Sequence, residues 1–158
     1  MIIRNARETD FVECVSIAHR AWPEFNEREA IYHILCRHFP DTCFMSEEGG
    51  KIQGFLLGFI SQADSREAYI HLICVEPSAQ RQGVARRLYD EFFKTARRLG
   101  AQCVRLTVAP NNVSSLKFHG SVGFQPDIRG ESIQIGNILA VKDYNGPGNH
   151  MVPFIREI

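Results

Sequence analysis

The chain has 158 residues, of which 44% are hydrophobic, and this is enough for one globular domain, residues 1–158, with a substantial core. Its 18 basic and 18 acidic side chains give a formal net charge of zero, without the basic excess that is typical of nucleic-acid-binding domains. No stretch reaches the roughly 18 apolar residues that a membrane span requires, so we expect neither nucleic acid nor a membrane as a partner.

The first half of the chain predicts a strand, two helices and three further strands. "IIRNAR" has the pattern of a short strand, after which Thr9 or Asp10 can cap a helix that ends near Arg20. A second helix is predicted from about Glu27 to Phe39. "TCFMSEEGGKIQGFLLGFIS" indicates two strands around a Gly-Gly turn, and "EAYIHLICVEP" indicates a third strand that ends before Pro77.

The second half begins with the clearest helix of the chain, from about Gly83 to Leu99, where apolar residues recur at helical spacing and Gly100 suits the C-terminal end. "QCVRLTVAP" alternates as a strand, and a short helix follows that Asn111 or Asn112 can cap. "VKDYNGPGNHMVPFIREI" indicates two strands joined by a Gly/Pro turn. This order predicts an α/β (α+β) fold with a mixed, mostly antiparallel sheet and helices on both faces.

The cysteine pattern bears on the cellular compartment. Five cysteines without a CxxC pair, several of them in apolar runs such as "LICV", indicate reduced and mostly buried thiols. The first residues, "MIIRNARETD", lack the basic and apolar segments of a secretory signal. We therefore expect a cytoplasmic protein, and we expect no metal site.

The stretch "QRQGVARRLYDEFF" opens the long helix with few side chains that can cap it. A helix N-terminus has unpaired backbone N–H groups and a partial positive charge, and both favour a bound phosphate. Gly83 and Ala85 are small enough for phosphate oxygens to approach the backbone, and Arg81 or Arg86 can add charge. The alternative is that Gly83 only forms a turn and Ala85 only packs. The motifs GxxxxGK[ST] and GxGxxG are absent, which argues against a P-loop and a dinucleotide-binding fold.

Two motifs in this order resemble those of the GNAT N-acetyltransferase superfamily. The stretch Gln80-Arg81-Gln82-Gly83-Val84-Ala85 matches the Q/R-x-x-G-x-G/A loop of the family. The second signature of the family has a counterpart in Asn112, Ser115, His119, Gly123 and Phe124. At the position of His119 the family usually has tyrosine. Together the motifs span about residues 69–124.

The resemblance implies that backbone N–H groups of the loop bind the pyrophosphate of acetyl-CoA, the cosubstrate. It also implies that the preceding strand and Asn112 contact the pantetheine arm, and that a backbone N–H near Ile73 or Cys74 meets the oxyanion. A homodimer is expected on the same basis, because dimers are common in the family. The implied cofactor-binding residues are Ile73, Cys74, Val75, Arg81, Gln82, Gly83, Val84, Ala85, Arg86, Asn112 and Ser115.

Two histidines are the candidate catalytic residues. His71 lies four residues before Val75, where GNAT enzymes often carry a side-chain base, and imidazole titrates near neutral pH. The alternative for His71 is a hydrogen bond within the sheet. His119 is a candidate general acid toward the departing thiolate, and the alternative is that it merely packs. Cys74 is a poor candidate for a nucleophile, because GNAT chemistry is generally direct transfer and a thiol inside an apolar strand is usually inert.

The acceptor site is expected, by resemblance, to involve the loop between the first two helices, the middle strands and the C-terminal hairpin. The candidate substrate-binding residues are Trp22, Glu24, Phe25, Tyr69 and Tyr144, since an aromatic wall with a carboxylate suits a cationic amine. The alternative is that Trp22 and Phe25 anchor the loop to the core and that Glu24 is solvated.

These patterns favour one function and leave two others open. The leading hypothesis is acetyl transfer from acetyl-CoA to a primary amine of a small molecule, by direct attack in a ternary complex. The second is acetylation of a protein N-terminus or lysine. The third is a non-catalytic acyl-CoA-binding module, for which the histidine at position 119 would mark lost activity. Release of free CoA in the presence of amines separates an enzyme from a binding module.

Overall fold

The structure is a computed structural model that describes residues 1–25 and 27–158. The chain divides into two units, Met1–Gln102 and Cys103–Ile158. The first unit carries the predicted phosphate-binding loop, and the second carries the Asn112 motif. Within the described residues, no helix has the length and apolarity needed to cross a membrane.

The described part of residues 1–102 contains an antiparallel sheet and three α-helices. In chain order the elements are β1 (Ile2–Asn5), α1 (Phe11–Ala21), α2 (Glu29–His38), β2 (Phe44–Glu48), β3 (Lys51–Ile60), β4 (Glu67–Val75) and α3 (Val84–Arg98). The strands pair antiparallel in the order β1-β2-β3-β4, and Gly49 and Gly50 form the tight turn between β2 and β3. These elements agree with the predicted ones, and the predicted helix ends differ by one or two residues.

The hydrophobic core of this unit lies between the sheet and the helices α1 and α2. Alternate residues of β3, Phe55 and Leu57, are fully buried in one cluster with Cys14 and Ile17 of α1 and Tyr32 of α2. The spacing along each helix places its apolar residues on one face, and the period of two along β3 does the same for the strand. The intervening residues of β3 must therefore face the other side of the sheet.

Helix α3 covers that other side of the sheet, above Gly54 and Gly58 of β3. A β-carbon at Gly58 would lie 2.6 Å from a ring carbon of Phe92, and a β-carbon at Gly54 would lie 3.0 Å from a methyl carbon of Val84. A larger residue at either position would force α3 away from the sheet. The two glycines thus set how closely α3 approaches β3. Because α1 and α2 lie on one face of this sheet and α3 on the other, the prediction of helices on both faces is confirmed for it.

The start of α1 differs from the prediction, because the side chain of Asp10 does not cap the helix. Its carboxylate oxygens accept hydrogen bonds from Arg4 of β1, at 2.7 and 3.0 Å, and from the backbone N–H of Arg7 at 2.7 Å. Burial favours the protonated form of Asp10, but these donors outweigh burial and hold the pKa of Asp10 below its usual value. Asp10 therefore ties β1 to the start of α1.

Residues 103–158 contain one α-helix, α4 (Val113–Ser121), and five strands. The strands are β5 (Cys103–Val108), β6 (Gln125–Pro126), β7 (Ser132–Ile135), β8 (Ile138–Val141) and β9 (Val152–Glu157). Strand β9 pairs antiparallel with both β5 and β6, and β7 and β8 form a separate antiparallel hairpin around Gly136 and Asn137. Antiparallel pairing thus predominates in both units, as predicted.

Strand β7, and with it the β7–β8 pairing, is absent from the predicted order of elements. The Gly-Asn dipeptide between β7 and β8 is a hairpin signal, but the two strands have four residues each and several exposed side chains, so their apolar alternation is weak. The predicted Gly/Pro turn corresponds to residues 142–150, which connect β8 to β9.

Candidate active site

The connection from β4 to α3 contains a sharp left-handed turn. A short 3-10 helix, Pro77–Ala79, follows β4, and the chain then passes through Arg81 with φ of 61° and Gly83 with φ of 82°. A residue with a β-carbon loses roughly 1–2 kcal/mol in this region of conformational space, whereas glycine adopts it freely. Glycine at position 83 therefore allows α3 to begin directly after the turn.

No described side chain caps the N-terminus of α3. The N–H of Arg87 donates to the carbonyl oxygen of Gly83 at 3.1 Å, so the backbone N–H groups before it have no partner within the helix. Apart from its two chain neighbours, no atom of the described residues lies within 4 Å of a β-carbon built at Gly83, so space is open at this point. Unpaired N–H groups beside open space fit an anionic group such as a pyrophosphate.

The side chains around this turn leave its backbone accessible. Arg81 and Arg86 are exposed, and the amide of Gln82 donates to the carbonyl oxygen of Ser78 at 2.9 Å. The side chain of Val84 is buried beneath the turn, so only the backbone of Val84 can face a ligand. The two arginines can supply additional positive charge.

An ion-pair network holds the entrance of the loop against α1. Arg20 of α1 bonds Glu76, the residue after β4, at 2.7 Å, and it also bonds Glu13 at 2.7 Å. A polar cleft of about 720 Å³ opens beside this network, and Arg4 and Asp10 also line it. These charged groups pair with one another. The cleft is therefore a charge-balanced surface rather than an anion site.

Strand β4 has a β-bulge at His71. Leu57 of β3 pairs with Leu72, and the next residue, Gly58, pairs with Ile70, so His71 is the extra residue of β4. A bulge bends its strand and changes the direction of a side chain, and bulges are frequent beside active sites. This explains how His71 reaches the loop between α1 and α2.

Nε2 of His71 lies 2.6 Å from Oε1 of Glu27 in that loop. The two side chains are 31% and 17% exposed, so the pair is largely shielded but reachable from solvent. An ionised carboxylate can only accept a hydrogen bond, so a neutral His71 carries its proton on Nε2. Nδ1 is then the nitrogen that can accept a proton, and none of the described residues bonds it.

Two other ionisable side chains near this pair are buried and stay protonated. Burial raises the pKa of Cys74 to about 12, and the thiol is only 2% exposed. Burial and, to a smaller degree, the charge of Glu27 also raise the pKa of Tyr32. These environments argue against a nucleophilic thiolate at Cys74.

Aromatic side chains lie on both elements that carry the pair. Trp22 and Phe25 of the α1–α2 loop make an edge-to-face contact with ring centroids 5.6 Å apart. Trp22 also packs against the core, whereas Phe25 is 41% exposed. The ring of Tyr69 in β4 lies 5.5 Å from that of Phe59 in β3.

In the second unit, Asn112 caps α4. Its Oδ1 accepts the backbone N–H of Ser115 at 3.2 Å and the hydroxyl of Ser114 at 3.1 Å. The cap predicted at Asn111 or Asn112 is therefore at Asn112. Because Oδ1 is used by the helix, the amide nitrogen of Asn112 is the part of the side chain suited to a ligand.

His119 is buried in the second unit, 6% exposed, with the rings of Phe118, Phe124 and Phe154 around it. Its Nδ1 lies 2.7 Å from the carbonyl oxygen of Ser115, which can only accept, so Nδ1 carries the proton. Burial lowers the pKa of His119, and the bond to Ser115 only partly opposes this. The environment thus favours the neutral, packed form of His119 over an imidazolium that could donate a proton.

Comparison with known proteins decides the family. The sequence matches the model of the Acetyltransferase (GNAT) family over residues 6–124, most of the chain. The chain belongs to the GNAT family. The matched range includes both the loop at residues 80–85 and the motif at residues 112–124. The resemblance to the GNAT family is therefore confirmed.

Individual GNAT relatives are more distant. The chain is 24% identical over 94 residues to L-2,4-diaminobutyric acid acetyltransferase of Wolinella succinogenes, which covers 58% of this chain and 54% of the relative. The chain thus spans about half the length of the curated relatives it matches.

Solved structures confirm the predicted fold class. Ard1 from Thermoplasma volcanium has a TM-score of 0.81 at 24% identity, covering 99% of this chain and 97% of that one. Diaminobutyrate acetyltransferase EctA from Paenibacillus lautus, solved with L-2,4-diaminobutyric acid and coenzyme A, has a TM-score of 0.72 at 18% identity and covers 98% and 92%. At these identities the likeness establishes a GNAT-like α/β fold.

The structure also places the GNAT acceptor candidates. Trp22, Glu24 and Phe25 lie in the same loop as Glu27, and Glu24 is exposed. Tyr144 lies in the second unit and is 46% exposed. The roles of these residues, and those of the two histidines, stay predictions.

Sequence patterns place Glu27 at the start of a helix and do not indicate a functional role for it. The loop contains two glutamates three residues apart, and no periodicity distinguishes the one that turns toward β4. The only sequence signal was the predicted base at position 71, for which a carboxylate partner in the loop could have been sought.

Proposed function

We propose that this chain transfers the acetyl group of acetyl-CoA to a primary amine of a small molecule, by direct attack in a ternary complex. The observation that carries this proposal is the uncapped N-terminus of α3 after the left-handed turn at Gly83, at the position of the family's cofactor motif. Acetyl-CoA supplies an acetyl group already activated as a thioester. The protein must bind it, hold the amine beside it and manage protons.

Binding of the pyrophosphate is assigned to the backbone of residues 82–86 and the exposed side chains of Arg81 and Arg86. Backbone N–H groups at a helix N-terminus bind anions without a dedicated side chain. Asn112, Ser115 and the strand residues Ile73, Cys74 and Val75 complete the proposed cofactor contacts, on the strength of the family motifs.

Deprotonation of the amine is assigned to His71. A lysine-like amine has a pKa of about 10.4, so holding it neutral at pH 7 costs roughly 3.4 pH units, or about 4.6 kcal/mol at 1.36 kcal/mol per unit. A base beside the amine is therefore valuable. Nδ1 of His71 accepts the proton, and the carboxylate of Glu27 at Nε2 stabilises the imidazolium that forms.

A small amine is favoured as the acceptor because relatives of the chain carry the name L-2,4-diaminobutyric acid acetyltransferase. This amino acid has two primary amines, and it is the first acceptor to test. Trp22, Phe25 and Tyr69 are proposed to form the apolar wall of its site, and Glu24 its more exposed edge. A role of Tyr144 in acceptor binding is proposed from the family resemblance alone.

We further propose that residues 1–158 form one catalytic domain. The protein is proposed to act in the cytoplasm and to form a homodimer. The family match runs across both units, which supports a single domain. Five free cysteines support a reducing compartment. Size measurement in solution tests the dimer.

The test is an amine panel with acetyl-CoA, in which release of free CoA is followed with a thiol reagent. The panel contains L-2,4-diaminobutyrate, other diamines, single amino acids and short peptides with free N-termini. Turnover highest with a small amine supports the proposal, and turnover only with peptides replaces it with protein acetylation. Thermal stabilisation by acetyl-CoA without CoA release in any mixture would leave only an acyl-CoA-binding module.

A further inference from the structure

The carboxylate of Glu27 uses only one of its two oxygens. Oε1 bonds His71 at 2.6 Å, but Oε2 is buried from solvent and has no hydrogen-bond partner among residues 1–25 and 27–158. Within the described residues, no lysine or arginine pairs with Glu27. A buried carboxylate oxygen without a donor is costly, and most buried polar atoms in proteins have a partner.

The chemistry of this oxygen indicates which ligand would relieve that cost. Oε2 of an ionised carboxylate is an acceptor that favours a charged N–H donor, and a primary ammonium group has three such donors. The side chain as a whole is 17% exposed, so part of it can be reached from solvent. An ammonium group that arrives there would be a donor for Oε2 while Oε1 stays with His71.

The rings of the same loop suit the same ligand. Trp22 and Phe25 form an edge-to-face pair in the segment that ends at Glu27, and Phe25 is exposed. Aromatic faces attract alkylammonium ions and exclude water from a neighbouring ion pair. A loop that carries both a carboxylate and aromatic rings thus suits a cation with an apolar body.

We infer that Glu27 binds the ammonium form of the acceptor through Oε2, while Oε1 holds His71 in the tautomer that accepts the proton. This inference rests on the proposed function and adds the residue that binds the acceptor and the charged form in which the acceptor arrives. The ammonium N–H bond breaks, its proton passes through a bridging water molecule to Nδ1 of His71, and the electron pair stays on nitrogen. The resulting imidazolium is balanced by the Glu27 carboxylate.

Two nearly isosteric nucleophiles test this role. n-Propylamine is charged at pH 7, whereas O-ethylhydroxylamine has a similar shape and is neutral. In Glu27→Gln the KM of n-propylamine should rise about tenfold or more, as expected for loss of a charge-assisted hydrogen bond, and the KM of O-ethylhydroxylamine should change less than threefold. Glu27→Asp should recover part of the n-propylamine binding.

Two further variants separate binding from proton transfer and from general charge effects. His71→Gln keeps Glu27, so the KM of n-propylamine should stay within about threefold while kcat falls. Glu29→Gln removes the same charge from an exposed residue two positions away, and both amines should behave as in the wild type. Equal KM changes for both amines in Glu27→Gln, or none, would overturn the inference.

Binding of n-propylammonium can also be measured without turnover. The imidazole nitrogens of His71, followed by ¹⁵N NMR in the complex with CoA, should shift when n-propylammonium chloride is added to the wild type but not to Glu27→Gln. Equal shifts in both proteins, or no shift in the wild type, would overturn it. Failure of the proposed function has a different signature, since O-ethylhydroxylamine and the whole panel would then release no CoA.

Discussion

The imidazole of His71 and the carboxylate of Glu27 lie 2.6 Å apart, although 44 residues separate them in the chain. The contact depends on a bulge in β4 and on a loop that connects two helices on one face of the sheet. A base held in this way by a carboxylate is positioned before the substrate arrives. The contact therefore predicts measurable effects of substitutions on catalysis.

His71→Ala should lower kcat/KM about 10²- to 10⁴-fold at pH 7, because general-base assistance contributes this much. The loss should shrink as the pH rises toward the pKa of the acceptor amine, since the free amine then needs no base. A pH–rate profile of both proteins checks this. A parallel loss at every pH would remove His71 from proton transfer.

Gly83→Val should abolish the rise in melting temperature that acetyl-CoA causes in the wild type. Valine is strained at φ of 82°, and its side chain occupies the open space before α3. Gly130→Val is the matched control, because Gly130 has φ of 88° and equally open surroundings in the other unit. If both variants respond to acetyl-CoA like the wild type, the pyrophosphate assignment is wrong.

Gly58→Ala should lower the free energy of unfolding by about 1–3 kcal/mol, because the new methyl group would lie 2.6 Å from Phe92 and from the carbonyl oxygen of Tyr69. Urea denaturation measures this change. Gly120→Ala in α4 is the control, since that methyl group meets no atom within 4 Å. It should be neutral or stabilising by up to about 1 kcal/mol, from helix propensity.

Asp10→Asn should lower the free energy of unfolding at pH 7 by about 1–3 kcal/mol, the usual contribution of hydrogen bonds to a charged group. The folded-state pKa of Asp10 lies below its ordinary value of 3.8. Its contribution is therefore complete above about pH 4–5 and disappears as the pH falls through the lower, folded-state pKa. Denaturation curves of both proteins should converge in acid, and a constant difference down to pH 2 would contradict this.

His119→Phe should retain kcat within about threefold if His119 packs as the neutral imidazole that its buried site favours. The substitution removes the hydrogen bond to the carbonyl oxygen of Ser115, at a cost of about 1 kcal/mol in stability. A fall in kcat of a hundredfold, with unchanged acetyl-CoA affinity, would instead establish His119 as the general acid.

The sequence by itself determined the elements and the family. Helical spacing in α3, the Gly-Gly turn before β3 and the prolines after β4 and β5 are local signals, and local propensity is enough to interpret them. The cofactor motif is also local, because a turn and a helix N-terminus are built from consecutive residues. For this reason the sequence is enough to predict the loop around Gly83.

Only the tertiary structure decided which side chains meet. The partner of His71 comes from a loop without periodicity, and the bulge that aims His71 is defined by its register with β3 rather than by β4 itself. Asp10 was predicted to cap a helix, but it forms an ion pair instead because β1 places Arg4 beside it. The acidity of His119 depends on burial, to which the ring of Phe154 from β9 contributes. Contacts and desolvation of this kind are non-local, so no pattern of neighbouring residues encodes them.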